Sequence, residues 1–232
     1  MKKRILSSTL VALTGVSQAA LISWSTPADA TNENVIISPA TVVQAYNVGG
    51  PALTVTVGGT DVVFADNSGA TGVAANLSGG ANINATYWQG SAGDIDFDTI
   101  LDSQRWNSAA GSHDITLSGL MGNTTYQVQV FSIDNRGGNS AGRYYTLSDG
   151  VTTSAEAGRD TAGGTGQFIV GTFTTGPAET TQTFSQIGYR SAGTDNGSSQ
   201  LNAVVVAVVP EPSSALLLSL AGFALLGRRS RK

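Results

Sequence analysis

The stretch Leu53-Thr54-Val55-Thr56-Val57-Gly58-Gly59-Thr60-Asp61-Val62-Val63-Phe64 alternates apolar and polar residues on either side of a Gly-Gly pair. Successive side chains of a strand point to opposite faces, so a period of two buries one face. Gly at the reversal supplies the backbone freedom that a tight hairpin needs. The same pattern recurs along the chain and restricts it to short strands joined by tight turns. Strands are expected over 21–25, 42–46, 53–57, 61–64, 114–117, 126–133, 143–147, 168–173, 181–187 and 201–208. One helical piece is expected, a single turn over 97–101 that plugs one end, with Ile95 and Phe97 buried. The expected fold class is all-β, an antiparallel β-sandwich over residues 20–208 with no linker and no repeat of fixed period. An apolar content of 41% against 12% charged residues excludes a disordered chain.

The absence of Cys removes disulfides, thiolate metal sites and cysteine nucleophiles. A single histidine, His113, excludes a His-rich zinc site. Cations crowd the two ends: Lys2, Lys3 and Arg4 at the start, Arg228, Arg229, Arg231 and Lys232 at the finish. Between them stand only Arg105, Arg136, Arg143, Arg159 and Arg190, against nearly all of the sixteen acidic residues. An acidic domain cannot neutralise phosphates, so no nucleic-acid partner is expected.

The ends read as addresses. Residues 1–19 have a basic start, a short apolar run and small residues before Ala20, the pattern of a signal peptide; secretion machinery and signal peptidase are its expected partners. Ala28-Asp29-Ala30 offers a second cleavage site. Cleavage after Ala19 is preferred, because residues 21–24 look like a first strand. At the other end, Pro210-Glu211-Pro212 holds the chain extended, an apolar run from about Ser213 to Gly227 forms a membrane helix, and the cluster Arg228, Arg229, Arg231 and Lys232 keeps the terminus cytoplasmic. An extended tripeptide just outside a membrane helix is accessible to a membrane protease.

Residues 209–232, in that order of motif, span and basic cluster, resemble the PEP-CTERM sorting signal. The resemblance implies processing by an exosortase, a membrane-embedded cysteine protease, in bacteria that make exopolysaccharide or biofilm matrix. It implies transient inner-membrane anchoring, then the cell surface or extracellular matrix. The body also resembles a domain that recurs with this tail, through residues 22–24, 43–47, 99–103, 119–131, 134–136, 166–173 and 200–203. That resemblance implies a jelly-roll-like sandwich whose last strand returns near the first, with no known catalytic activity.

Several residues are candidates for chemistry. Residues 117–130 read strand, turn, strand, and Tyr126 there looks like a tyrosine corner, a stabilising device in which the phenol bonds upstream backbone. Ser112, His113 and Asp114 are adjacent in sequence, but neighbours on one strand cannot form a triad. Asp94, Asp96 and Asp98 are the candidate ligands for Ca²⁺, whose hard-oxygen preference alternate carboxylates suit. The run lacks the Gly and distal Glu of an EF-hand, and an acidic helix start accounts for it equally. No other cofactor is expected. Flat exposed rings stack on sugar C–H faces, which makes Trp88 and Trp106 the candidate glycan contacts. In Tyr87-Trp88 and Tyr144-Tyr145 one ring of each pair belongs to the core, as does Trp24.

The expected function is therefore that of an exported, non-catalytic envelope or matrix protein associated with exopolysaccharide or biofilm. The alternative is a carbohydrate-binding module with an aromatic, Ca²⁺-assisted site. A glycan-active enzyme, the third class, needs two carboxylates across a cleft.

Overall fold

The computed structural model describes residues 20–67, 75–77, 81–84, 93–109, 112–134, 142–159, 165–190 and 198–211. The segment 1–19, Tyr87, Trp88, Pro212 and the stretch with the expected membrane helix and basic cluster lie outside them. In chain order the strands are β1 (Ser23–Trp24), β2 (Ala28–Asp29), β3 (Val42–Asn47), β4 (Leu53–Val57), β5 (Thr60–Asp66), β6 (Ala75–Leu77) and β7 (Ala81–Asn84). Helix α1 (Ile95–Asp102) follows, then β8 (Ser103–Ala109), β9 (Ser112–Ser118), β10 (Thr125–Phe131), β11 (Tyr144–Ser148) and β12 (Ala157–Gly158). The chain ends with β13 (Gln167–Thr174), β14 (Thr181–Tyr189), β15 (Ser198–Leu201) and β16 (Ala203–Val208).

The domain is mostly β, in several antiparallel sheets. The largest runs β1-β13-β10-β16-β3-β5-β4, with β2 also on β13; a second runs β12-β11-β14-β9-β6; a third runs β15-β8-β7. All pairings are antiparallel except β3 with β5. Alternation decides which residues fill the interior. Tyr126, Val128 and Val130 of β10 meet Ile115 and Leu117 of β9 and Phe184 of β14 in one core between the two larger sheets. The last strand shares the largest sheet with the first, with β13 and β10 between β16 and β1.

The opposite face of the largest sheet is covered too. Phe131, Phe168, Ala203 and Val205 point there and meet the β4–β5 hairpin and Phe97, Ile100 and Leu101 of α1. The helix therefore builds a second core rather than plugging an end. It spans two turns because Asp94 caps it, accepting from the Asp96 and Phe97 N–H groups at 2.9 Å each. Ile95, expected inside, is exposed. This second layer also buries Gln129, whose amide accepts from Ile37 N–H and donates to the Val35 carbonyl.

The expected strand over 201–208 is two strands in different sheets, parted at Asn202. Asn202 is fully buried and uses all of its polar groups. Its N–H donates to Phe131 O (3.0 Å), and its carbonyl accepts from Val48 N–H (2.9 Å). Its Oδ1 accepts from Ile133 N–H (2.7 Å), and its Nδ2 donates to Leu101 O and Ser103 O (2.7 and 3.0 Å).

The pairing fixes two poles. The C-terminal ends of β16, β13, β9 and β11 lie with the N-terminal ends of β1, β3, β10 and β14 at one pole, where residues 20–22 and 209–211 also sit. At this pole the Tyr126 hydroxyl accepts from Met121 N–H at 2.8 Å, the tyrosine corner expected from sequence. Here too Asp149 clamps the incoming chain, accepting from the N–H groups of Ile22, Thr152 and Val151. Residues 20–30 belong to the fold: Ile22 and Ala30 are buried, Trp24 packs edge-on against Phe184, and the Ala30 N–H donates to Gly166 O. Removal of this segment would strip β1 and β2 from β13.

Replacing Asn202 by Ala leaves one buried donor and two carbonyls without that partner, so urea unfolding should show a loss of about 3 kcal/mol; Tyr126→Phe, which removes one bond, should lose about 1 kcal/mol. Partial burial raises the Asp149 pKa, but its bonds to Ile22, Thr152 and Val151 outweigh this and hold the carboxyl below its ordinary range. Its contribution is thus present above the unfolded-state pKa and lost as pH falls through the lower folded value. Acid unfolding of Asp149→Asn should lack that component, and a wild-type pH dependence in the variant would contradict the assignment.

Candidate functional site

The last strand is a central one. Val204 to Ala207 are wholly buried between β10 and β3. Val209 N–H makes a final bond to Thr125 O at 2.9 Å, and the chain then enters solvent, with Pro210 and Glu211 exposed. Proline has no N–H to extend the ladder, so the sheet stops at the motif. Pro210 and Glu211 are thus presented directly from the end of a buried central strand. Pro212 and the cluster Arg228, Arg229, Arg231 and Lys232 lie outside the described residues, and no helix among the described residues is long and apolar enough to cross a membrane.

The proposed glycan contacts divide. Trp106, on β8 opposite Gln200, is 36% exposed; Trp88 lies outside the described residues. Of the tyrosine pair, Tyr145 is buried and donates to the Gln167 carbonyl, while Tyr144 is half-buried and stacks on Tyr189 with ring centres 5.0 Å apart. Trp24 is half-buried and packs against the core. Its indole lies over Gly171, where a Cβ would stand 2.5 Å from the ring. It lines an open cleft of about 340 Å³ whose other walls are formed by Ser23, Ser25, Thr26, Thr152, Thr153 and Ser154 among others. The ring packs against the core cluster, as the sequence suggests, and the residue also borders this cleft.

The three aspartates are not gathered. Asp94 is the helix cap, and Asp96 and Asp98 follow in the first turn, where the helix dipole favours acids. Among the described residues no group of three His, Asp or Glu is placed to hold a metal ion. On β9 the buried positions are 113, 115 and 117, so His113 points inward and Asp114 outward. Nε2 of His113 lies 3.1 Å from the Arg105 carbonyl, and Asp114 accepts from the Ser185 hydroxyl. The strand separates the two side chains that a triad would need together.

At the far pole lies a polar cluster that the sequence did not suggest. Arg159 is wholly buried, its Nη1 donating to Gln200 Oε1 at 3.1 Å while Gln200 Nε2 donates to Asp134 Oδ2 at 2.9 Å. Gln186 donates to Ser132, whose hydroxyl bonds the Gln200 carbonyl. The guanidinium fits only because residue 188 is glycine: a Cβ there would meet Nη2 at 2.3 Å. Burial pulls the Arg159 pKa down to about 10, opposed by the charge of Asp134. The cluster joins the far ends of β10, β14 and β15. Asp134→Asn should cost about 3 kcal/mol in denaturant unfolding, since it leaves a buried cation uncompensated, and the double variant Asp134→Asn/Arg159→Met should recover much of that loss.

Residues 208–232 match the family model of the PEP-CTERM protein-sorting motif. Such a signal marks a protein exported to the cell surface through membrane anchoring and processed by an exosortase. No curated protein matches the chain. Among solved structures, the ANX1 receptor-like kinase of plants aligns at TM-score 0.51 and 11% identity, over 80% of this chain and 55% of that one. A chain in the plant complex of peptide RALF23 with FER and LLG2 aligns at TM-score 0.51 and 15% identity, again over 80% and 55%. The ANX1 ectodomain of Arabidopsis thaliana aligns at TM-score 0.50 and 12% identity, over 73% and 49%. The chain spans about half the length of these proteins, and at such identities the likeness is one of fold.

Proposed function

We propose that the chain is a non-catalytic envelope or matrix protein. In this reading a signal peptide is removed after Ala19, a jelly-roll-like sandwich is exported, and an exosortase acts at Pro210-Glu211-Pro212. The observation that carries the reading is the sorting motif, which begins where the buried last strand ends. Cleavage after Ala19 rather than Ala30 keeps Ile22, Trp24 and Ala30, all of which pack in the domain. The lone histidine sits inside the core, away from solvent where a substrate would arrive.

The proposed role at the surface is association with exopolysaccharide or the biofilm matrix. Two aromatic features favour it over a passive scaffold: exposed Trp106, and the open cleft that half-buried Trp24 borders together with serine and threonine residues. A flat ring with neighbouring hydroxyls offers both stacking and hydrogen bonding to a sugar.

The test is a pull-down of the processed protein with matrix polysaccharide of the exporting bacterium, with and without Ca²⁺. The reading expects saturable retention that weakens about tenfold in Trp106→Ala, the loss of one stacking contact of ~1–1.5 kcal/mol. Retention that needs Ca²⁺ would favour the carbohydrate-binding-module alternative, with a cation held elsewhere than by Asp94, Asp96 and Asp98. Absence of retention in both conditions would refute the polysaccharide role.

A further inference from the structure

Both ends of the domain leave from the same pole. Ala20 precedes β1, which runs antiparallel to β13 with Ser23 opposite Thr172, and Val209 follows β16 and bonds Thr125 at the start of β10. The loops of that pole share an unusual surface. Leu21, Met121 and Val151 are 54%, 59% and 70% exposed, each on a different segment. Pro177 and Ala178 of the adjoining turn are exposed beside them.

These tips are held outward by bonds made behind them. Met121 donates its N–H to the Tyr126 hydroxyl and accepts at its carbonyl from the Thr175 hydroxyl. Val151 donates its N–H to Asp149 Oδ1, within a loop in which the Thr152 hydroxyl bridges Asp149 and the Ile22 carbonyl. The loops' acids are turned the same way: Asp149 binds Ile22 N–H and Glu179 binds Gly176 N–H. Asp61, bonded to Thr56, and Glu211 remain at the surface. No cation among the described residues lies here. Arg105, Arg143, Arg159 and Arg190 all stand toward the far pole.

We propose that this pole, with Leu21, Met121 and Val151 at its tips, rests on the phospholipid bilayer surface while the sorting tail is inserted. The proposal rests on the sorting reading above. A tail that leaves between β10 and β3 brings these three loops to the interface, where apolar side chains on satisfied backbone enter the headgroup region readily. With no Lys or Arg among the contacts, the docking is apolar and insensitive to salt, unlike a polybasic attachment. The far pole, with Trp106, then faces outward.

The chain has no cysteine, so single labels are unambiguous. The full chain, reconstituted through its tail into phosphatidylcholine vesicles carrying a headgroup nitroxide, is labelled with a fluorophore at Met121→Cys, Val151→Cys or, at the far pole, Ser108→Cys. The expected result is loss of fluorescence at 121 and 151, unchanged at high salt, with none at 108. Vesicles that float with the chain while all three labels stay bright overturn the docking and leave the sorting reading standing. A chain that does not float with the vesicles overturns both. Quenching that vanishes at high salt overturns the apolar contact.

Discussion

One asparagine holds the architecture together. Asn202 stands where the chain passes from the three-stranded sheet to the centre of the largest one, and it closes hydrogen bonds with β10, the end of β3 and the junction of α1 with β8. A sharp change of sheet inside a core would otherwise leave several backbone groups without partners, each a penalty of about 1–3 kcal/mol. Only a short side chain with both a donor and an acceptor can satisfy them at once. The helix, the second core and the central strand that ends in the processing motif all take their positions from this corner.

The proposed function draws on the same geometry. Because β16 is central, the chain leaves the sheet beside Thr125, with Pro210 and Glu211 following at the surface. Because β1 enters at the same pole, the chain enters and leaves the described domain on one side. The loops carrying Leu21, Met121 and Val151 stay on that side, and the charged and polar cluster around Arg159 stays on the other. The domain is thus polarised along the strand direction, and the proposed reading assigns one pole to attachment and the other to display.

Much of this was legible from sequence where the physics is local. Alternation located β3, β4, β9, β10, β13 and β14 to within two residues at each end, and the turn before Tyr126 announced its hydrogen bond. What depends on distant partners was not legible. Gln129 alternates correctly with Val128 and Val130, yet the outer face it occupies is roofed by residues 35–37, some ninety positions away. The residues of β8 and β15 are mostly polar and carry no alternation, so neither reads as a separate strand, and the break at Asn202 is invisible within an apolar run. Arg159, between Gly158 and Asp160, reads as a surface loop residue; its burial depends on Gly188, far along the chain. The Asp94, Asp96 and Asp98 run combined a cap with a dipole effect, and a list of carboxylates cannot by itself distinguish these from ligands.

The central claim is that the mature unit is the domain bounded by Ala20 and the Pro210-Glu211-Pro212 motif. Intact mass and terminal sequencing of the protein recovered from the surface of an exosortase-bearing host test it most directly. The account predicts a chain beginning at Ala20 and ending within or beside residues 210–212. A chain beginning at Thr31, or one that still carries residues 213–232 after reaching the surface, would contradict it.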